Sequence, residues 1–422
     1  MSTKEVTAYE AIKHVKSGDT VYLADAAGEP AVLVEALMAD KDRLRDVTII
    51  GGHTLGKSPY AQKNVKKHFN FFTIFTGVDT RDPVNNGTAD YIPLRLFDTP
   101  RLFAPDGPWP LDIALITVSL PDNDGFCSLG VTVNYTLEAA LKAKIVIAEV
   151  NKQMPYTLGH CLLHRDQLDF MVLSDRQLLQ IALPHVDEKA TLIAKHVSQL
   201  IPDGATLQFG TGAVPESLLG LLVDKRRLGI HTGMLSDGIV DLMQKGAITN
   251  MEKPINQGKI VATVMWGTDK LYRWADKNPL LEMHPVGYTH DPRVIAKLPN
   301  FIAINSAIEV DLTGQVNSEC IGFTQISGVG GQADWARNAA LSMGGKSIIS
   351  LPSTAQGGKR SRIVYHLGLG SAVTTPRYDV NYVVTEYGIA DLFGKTMRQR
   401  AEALISIAHP DFRDSLWRSR FG

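Results

Sequence analysis

The sequence predicts an α/β protein of two related domains, each a largely parallel sheet flanked by helices. Three observations lead there. Short β-branched runs alternate with helical stretches. The runs include VTII (47–50), IALITV (113–118), KIVIAEV (144–150), IVATVM (260–265), KSIISL (346–351) and YVVTEY (382–387); the helical stretches include PESLLGLLVDKR (215–226) and DWARNAALSM (334–343). Such alternation builds parallel strands covered by helices. The chain has 422 residues, more than one hydrophobic core ordinarily organises, so two or three domains are expected. Finally, segments of the first half recur in the second, in the same order.

The repeats run the length of the chain. AYEAIKHVKSGDTVYLADAAGEPAVLVEAL (8–37) resembles ATLIAKHVSQLIPDGATLQFGTGAVPESLLGLL (190–222). Each reads as a helix ending in KHV, a glycine turn, an apolar strand, a small-residue loop with proline, and a second helix. VTIIGGHT (47–54) is echoed by RLGIHT (227–232), a strand delivering a His-Thr pair to its carboxyl end. AKIVIAEVNKQMP (143–155) parallels GKSIISLPSTAQ (345–356), and LDFMVLSDRQL (168–178) parallels VNYVVTEYGIADL (380–392). The break falls near LPHVDEKA (183–190), giving domains 1–185 and 186–422. Open α/β sheets bind ligands at the carboxyl ends of their strands, so a cleft between two such domains is the expected site.

Composition removes several classes of function. Lys and Arg number 43 against 44 Asp and Glu, with 44% hydrophobic residues, the balance of a soluble globular protein. No basic block interleaved with aromatics appears, which argues against nucleic acid as a partner. The N-terminal stretch has no apolar core or cleavage site of a secretory signal, and no apolar run reaches bilayer-spanning length, so a cytoplasmic protein without membrane partners is expected. Cys127, Cys161 and Cys320, odd in number and widely spaced, form neither a disulfide framework nor a zinc set. The two histidines and cysteine of GHCLLH (159–164) would need a helical face to share a metal, and their position between Pro155 and a strand denies it. No metal is expected.

Four motifs remain for chemistry. In LQFGTGAVPESLL (207–219) a strand ends at Phe209, Gly210 and Gly212 allow a tight turn, and Pro215 is read as opening a helix. Free backbone N–H groups there attract phosphate or carboxylate oxygens; an ordinary βα turn is the competing reading. A nicotinamide fingerprint fits poorly, because Pro215 replaces the third glycine and no acid ends the next strand. SGVGGQADWARNAALSMGGKSIISLPST (327–354) places Gly328, Gly330 and Gly331 ahead of a helix starting near Ala333, either for close approach to a long ligand or as plain loop geometry. GGKS (344–347) lacks the spacing of a P-loop. In VVTEYGIADLFGKTMRQRAEALISIAHPDFRDSL (383–416), read as strand, turn and an amphipathic helix ended by Pro410, Glu386 and Asp391 are read as loop-ordering groups. No G-x-S-x-G elbow accompanies a serine nucleophile.

The stretch from GVGGQADWARNAALSMGGKSIISLPST through SRIV to VVTEYGIADLFGKTMRQRAEALISIAHPDF resembles the C-terminal signature of the acetyl-CoA hydrolase/transferase family. These are the acetate, butyrate, 4-hydroxybutyrate and succinate CoA-transferases. LQFGTGAVP, AKIVIAEVNKQMP and IHTGMLSDG (230–238) fit the same family. The resemblance implies two CoA-transferase-like domains around a CoA cleft, with coenzyme A and acyl-CoA as substrates and no permanently bound cofactor. It implies ping-pong transfer: a glutamate attacks the acyl thioester, and CoA thiolate then converts the anhydride to a glutamyl-CoA thioester. Residues Gly210, Thr211, Gly212, Ala213 and Val214 would contact CoA, as would Gly328, Gly330 and Gly331, with Lys359 toward a phosphate. A homodimer is the assembly it suggests.

The family glutamate falls on Gly233, which has no side chain. That leaves three alternatives: Gly233 replaces a native glutamate; a neighbouring acid, Glu319 or Asp237, substitutes; or transfer has given way to slow acyl-CoA hydrolysis or to CoA binding alone. Tyr156 stands where the family more often carries arginine. Acetate, butyrate, 4-hydroxybutyrate, succinate and itaconate all remain open as substrates.

Overall fold

The β-branched runs assemble into two main sheets. The computed structural model describes residues 4–182 and 184–422, in two units. The first holds the chain up to Ala182 together with Val261–Thr289 and Gln325–Gly330; the second holds the remainder, including His290–Thr324 and Gly331–Gly422. Two segments from the C-terminal half therefore pack with the first unit, and they carry Gly328 and Gly330 with them.

The sheet of the first unit has eight strands, ordered Lys4–Glu5, Phe170–Ser174, Ile145–Asn151, Ile113–Val118, Thr20–Leu23, Val47–Gly51, Phe69–Thr73 and Asp90–Tyr91. Every neighbour pair is parallel. The central strand Ile113–Val118 is buried along its whole length, which explains its continuous apolar sequence: a strand covered on both faces cannot alternate. The helices Ala8–Ile12 and Ala31–Ala39 bring Ile12, Leu33 and Leu37 against Val21, Ile49, Phe71 and Leu115. Each such side chain contributes roughly 1.5–3 kcal/mol by leaving water. The first helix starts at a capping box, Thr7 and Glu10 satisfying each other's backbone N–H.

The second unit's sheet has six strands, ordered Gly229–Ile230, Thr206–Phe209, Phe301–Ser306, Lys346–Ser350, Tyr382–Thr385 and Gly388–Asp391. The first five are parallel and the last is antiparallel. Their order reproduces the middle of the first sheet: 47–51, 20–23, 113–118, 145–151 and 170–174 correspond in turn to 229–230, 206–209, 301–306, 346–350 and 382–385. Four of these pairs are the sequence repeats. Helix Glu188–Gln199, capped by Asp187 onto the Ala190 N–H at 2.8 Å, and helix Met397–Ile407 cover this sheet.

Local readings needed correction at three points. IVATVM is not a strand of either main sheet; it breaks into Ile260–Ala262 and Val264–Met265 in small two-stranded pieces. Pro410 does not merely end a helix: it opens another, Pro410–Phe421, at the position where a missing N–H costs nothing. The segment after YVVT doubles back as a hairpin before the helix, with Thr385 opposite Gly388.

Candidate functional site

The glycine turn and the His-Thr-Gly motif meet at the carboxyl edge of the second unit's sheet. Strands Thr206–Phe209 and Gly229–Ile230 are adjacent and in register, Leu207 opposite Ile230, so the loops leaving the two strands emerge side by side. The Thr232 hydroxyl fixes the junction by donating to the Phe209 carbonyl at 3.1 Å, the last residue before the turn. Below it, the buried Lys253 ammonium donates to the Ile230 carbonyl at 3.0 Å and the Lys259 carbonyl at 2.6 Å. Gly229 makes room for it: a Cβ there would stand 3.0 Å from the lysine stem.

Within the turn, Gly212 is demanded by the backbone, with φ 131° and ψ 177°, a region that only glycine occupies cheaply. Gly210 is not demanded by crowding, since a Cβ there would meet nothing within 4 Å. The next helix is Ala213–Leu221, with Gly212 as its N-cap. Pro215 is thus its third residue rather than its first, and still in the turn where N–H groups have no intrahelical acceptor; the first helical bond runs from Glu216 N–H to the Gly212 carbonyl at 3.1 Å. Thr211 is exposed and Val214 buried. No carboxylate belongs to residues 210–214, and the turn presents backbone donors.

Gly233 lies half-buried beyond the buried pair His231 and Thr232. Its φ is outside the left-handed range, and a Cβ built on it would meet the His290 ring (Cε1 and Nε2) and Trp335 Cζ2, each at 3.5 Å. That is ordinary contact, so neither conformation nor crowding requires glycine here. Gly331 faces the same two rings with the opposite result. A Cβ there would fall 2.5 Å from Trp335 Nε1 and 2.7 Å from His290 Nε2, although its backbone, φ −88° and ψ −4°, suits any residue.

The two rings form the wall between these glycines. The His290 and Trp335 centroids are 4.0 Å apart, backed by Phe301 at 5.9 Å from Trp335 and by His231 at 6.4 Å. Asn338, one turn beyond Trp335 on helix Gln332–Ala339, donates to the His290 carbonyl at 2.8 Å. Burial alone pushes the His290 imidazolium pKa down to about 3, so this histidine is neutral. Sequence reasoning missed the wall. Trp335 lies inside the helical stretch 334–343 with nothing in its pattern to mark it, and His290, ahead of the Asp291-Pro292 helix start, carries no signal at all.

The remaining expected residues lie elsewhere. Gly328 and Gly330 pass over Phe75 in the first unit, with hypothetical Cβ atoms 3.0 Å from Phe75 Cα and Cε2 respectively; the Val329 N–H donates to the Tyr91 hydroxyl at 3.0 Å. Close packing against Phe75 is therefore a sufficient reason for both glycines. Lys359 is exposed at the tip of the hairpin pairing Thr354–Ala355 with Arg360–Ser361. Asp237 starts the helix Asp237–Gln244 and is buried. Glu319, also buried, accepts from the Thr374 hydroxyl at 2.8 Å. Neither acid is among the atoms nearest Gly233. Glu386 accepts from the Ser353 N–H and hydroxyl, both at 2.8 Å, and Asp391 from the Phe393 N–H at 3.2 Å; both order loops. The Tyr156 hydroxyl donates to Asp122 at 2.6 Å. Cys127 and Cys161 are buried, their thiol pKa values raised to about 11 by desolvation. Among the described residues no three His, Cys, Asp or Glu side chains gather as a metal-ligand group, and no helix is long and apolar enough to cross a membrane.

The fold is that of an α/β protein whose parallel sheet edge ends in a glycine turn and a helix start. The family is settled by comparison. Residues 2–182 match the acetyl-CoA hydrolase/transferase N-terminal domain and residues 267–420 its C-terminal domain, and the chain belongs to this family. It is 48% identical to a 4-hydroxybutyrate coenzyme A transferase of Clostridium kluyveri, over 98% of this chain and 96% of that one. Among solved structures, RipA from Yersinia pestis superimposes with a TM-score of 0.93 at 34% identity, covering 99% of this chain and 96% of RipA. A 4-hydroxybutyrate CoA-transferase from Porphyromonas gingivalis gives 0.86 at 36% identity, covering 99% and 98%.

Proposed function

We propose that the chain is a CoA-transferase moving CoA between a short-chain acyl-CoA and a free carboxylic acid of the acetate, butyrate or 4-hydroxybutyrate type. The observation that carries this reading is the edge at Phe209–Gly212 and His231–Gly233, where the Thr232–Phe209 hydrogen bond holds a donor-rich turn beside the family's nucleophile position. The relatives at high identity, named as CoA-transferases, supply the substrate class. In this reading residues 210–214 and the Gly328–Gly331 loop contact CoA, and Lys359 serves a phosphate. The N–H groups opening helix Ala213–Leu221 stabilise the oxyanion that forms as the thioester carbonyl is attacked.

The family's glutamyl-CoA route needs a carboxylate at 233, and Gly233 supplies none. The room for a Cβ at 3.5 Å from His290 and Trp335 supports the view that a glutamate fits there without rebuilding the wall. The test is CoA exchange between butyryl-CoA and acetate, run on this chain and on Gly233→Glu. Acetate-dependent acetyl-CoA formation by either supports the transferase. Acetate-independent release of CoA by both would favour the hydrolase, and tight CoA binding without turnover by either would leave a CoA-binding protein.

A further inference from the structure

The loop Gln325–Gly330 carries two of the glycines read as CoA contacts, and its own sequence does not order it. Glycine loses more conformational freedom on folding than any other residue. A loop that offers its backbone to a ligand must hold its shape beforehand, or affinity is lost to ordering it. Here the order comes from side chains of the first unit. Gln325–Gly330 belongs to that unit, although the stretches before and after it in the chain belong to the second.

Helix Val78–Asn85 holds the start of the loop. The Asn85 carbonyl oxygen accepts from the Gln325 N–H at 2.8 Å, and its amide nitrogen donates to the Gln325 carbonyl at 2.8 Å. The same nitrogen donates to the Arg81 carbonyl, one turn earlier on the helix, also at 2.8 Å. Three bonds fix the plane of the amide, and the pair to Gln325 imitates a rung of a β-ladder. Arg81 donates through Nε to the Ile326 carbonyl at 2.6 Å. The end of the loop is held by the Tyr91 hydroxyl, which accepts from the Val329 N–H at 3.0 Å, and by the Leu96 N–H, which donates to the Gly330 carbonyl at 3.4 Å. Each of these bonds engages a group other than the N–H of Gly328 or Gly330.

We infer that Asn85 and Arg81 are positioning residues for CoA: through Gln325 and Ile326 they hold the glycine loop in the shape that the CoA part of the substrate meets, without touching the ligand themselves. This rests on the reading above that the Gly328–Gly331 loop contacts CoA. Asn85 is exposed, so its bonds add little to the stability of the fold, and ordering the loop is the work left to them. The effect falls on the acyl-CoA and not on the acid. Direction matters for Arg81, and charge does not. A lysine keeps the positive charge but has no N–H fixed where the planar guanidinium places Nε.

Calorimetric titration of the full chain with CoA tests this on the parent, Asn85→Ala, Arg81→Lys, Arg81→Ala and Asn86→Ala. The Kd for CoA should rise several-fold, up to about tenfold, in the first three variants, as expected for a lost hydrogen bond or two. Amide exchange over 325–330 should quicken in the same three while the Tm holds. Asn86, whose side chain accepts from the Thr88 N–H at 3.0 Å in its own turn, is the control, and its variant should bind CoA like the parent. In whichever of the parent and Gly233→Glu turns over, Asn85→Ala should raise the KM for butyryl-CoA and leave kcat and the KM for acetate as they were. Parental CoA affinity in Asn85→Ala would overturn the proposal while leaving the transferase reading intact. So would a lower Tm with equal losses for both substrates, which marks a merely structural role. Full affinity in Arg81→Lys beside a loss in Arg81→Ala would show that the charge meets CoA directly, and would overturn it too. A parent chain that does not bind CoA removes the CoA reading and the proposal together.

Discussion

Gly233 and Gly331 face the same two rings, so alanine at each position is a controlled comparison. At Gly331 the new Cβ would stand 2.5 Å from Trp335 Nε1 and 2.7 Å from His290 Nε2. Real carbon–nitrogen contacts begin about an ångström further out, and Trp335 is held by Phe301, His231 and His290. The indole cannot swing aside cheaply, and overpacking of this kind costs ~1–3 kcal/mol. The second unit has roughly 200 residues, and a domain of that size loses ~2–4 °C in Tm per kcal/mol. Gly331→Ala should therefore lower the Tm by about 4–8 °C for a cost near the middle of that range. At Gly233 the same Cβ is in ordinary contact at 3.5 Å and the φ is not left-handed. Gly233→Ala should be neutral, or stabilising by ~0.4–1 kcal/mol through the lost freedom of the unfolded chain. Thermal unfolding followed by tryptophan fluorescence measures both. A Gly331→Ala protein as stable as the parent, or a Gly233→Ala protein the less stable of the two, would refute the account of the wall.

The same geometry sets three further outcomes. Gly212→Ala forces a side chain into a backbone with φ 131°, at a cost of ~1–3 kcal/mol, and should weaken CoA binding in a titration; Gly210→Ala, whose Cβ meets nothing, should fold like the parent. Arg176 pairs through Nε, at 2.7 Å, with the fully buried Glu149. Arg176→Ala should cost ~3–5 kcal/mol in denaturant unfolding, because the carboxylate loses its cation. His290 has its pKa depressed from 6.5 to about 3, so the unfolded chain binds its proton first on acidification. Its contribution to stability is complete above pH 6.5 and falls by about 1.4 kcal/mol per pH unit as pH drops toward 3. Against the parent, His290→Gln should lose stability less steeply over that window, whereas equal slopes would mean His290 is not kept neutral by the fold.

Much of the architecture was legible because it depends on patterns that the chain states twice. The repeats 8–37 and 190–222, with VTIIGGHT and RLGIHT, marked strands that occupy the same places in the two sheet orders. Parallel strands buried on both faces announce themselves as apolar runs, as Ile113–Val118 does. Reading failed where a run's neighbours decide its fate. IVATVM has the composition of a core strand yet joins neither main sheet, and a proline such as Pro410, which pattern alone takes for a stop, equally begins a helix. Glycines were harder still. Gly212, Gly331 and Gly233 look alike in sequence, yet the first answers to φ, the second to an indole and an imidazole, and the third to neither. A glycine's cause lies in what surrounds it, and His290, which distinguishes the last two, comes from a part of the chain with no periodic or motif signal.

The two His-Thr edges have parted in where an acid stands. In the first unit the Thr54 hydroxyl donates to Glu29, which the loop after Thr20–Leu23 supplies, and desolvation raises that carboxyl's pKa. The corresponding loop of the second unit, 210–213, supplies no acid, and the Thr232 hydroxyl turns instead to the Phe209 and Met234 carbonyls at 3.1 and 3.2 Å. The first edge thus carries its own carboxyl group, satisfied internally and costly to ionise. The second presents the N–H groups of a helix start, Ala213–Leu221, with no carboxylate in the loop before it, and a helix start of this kind favours a negative group brought to it. A glutamate at position 233 would meet that preference from within the chain.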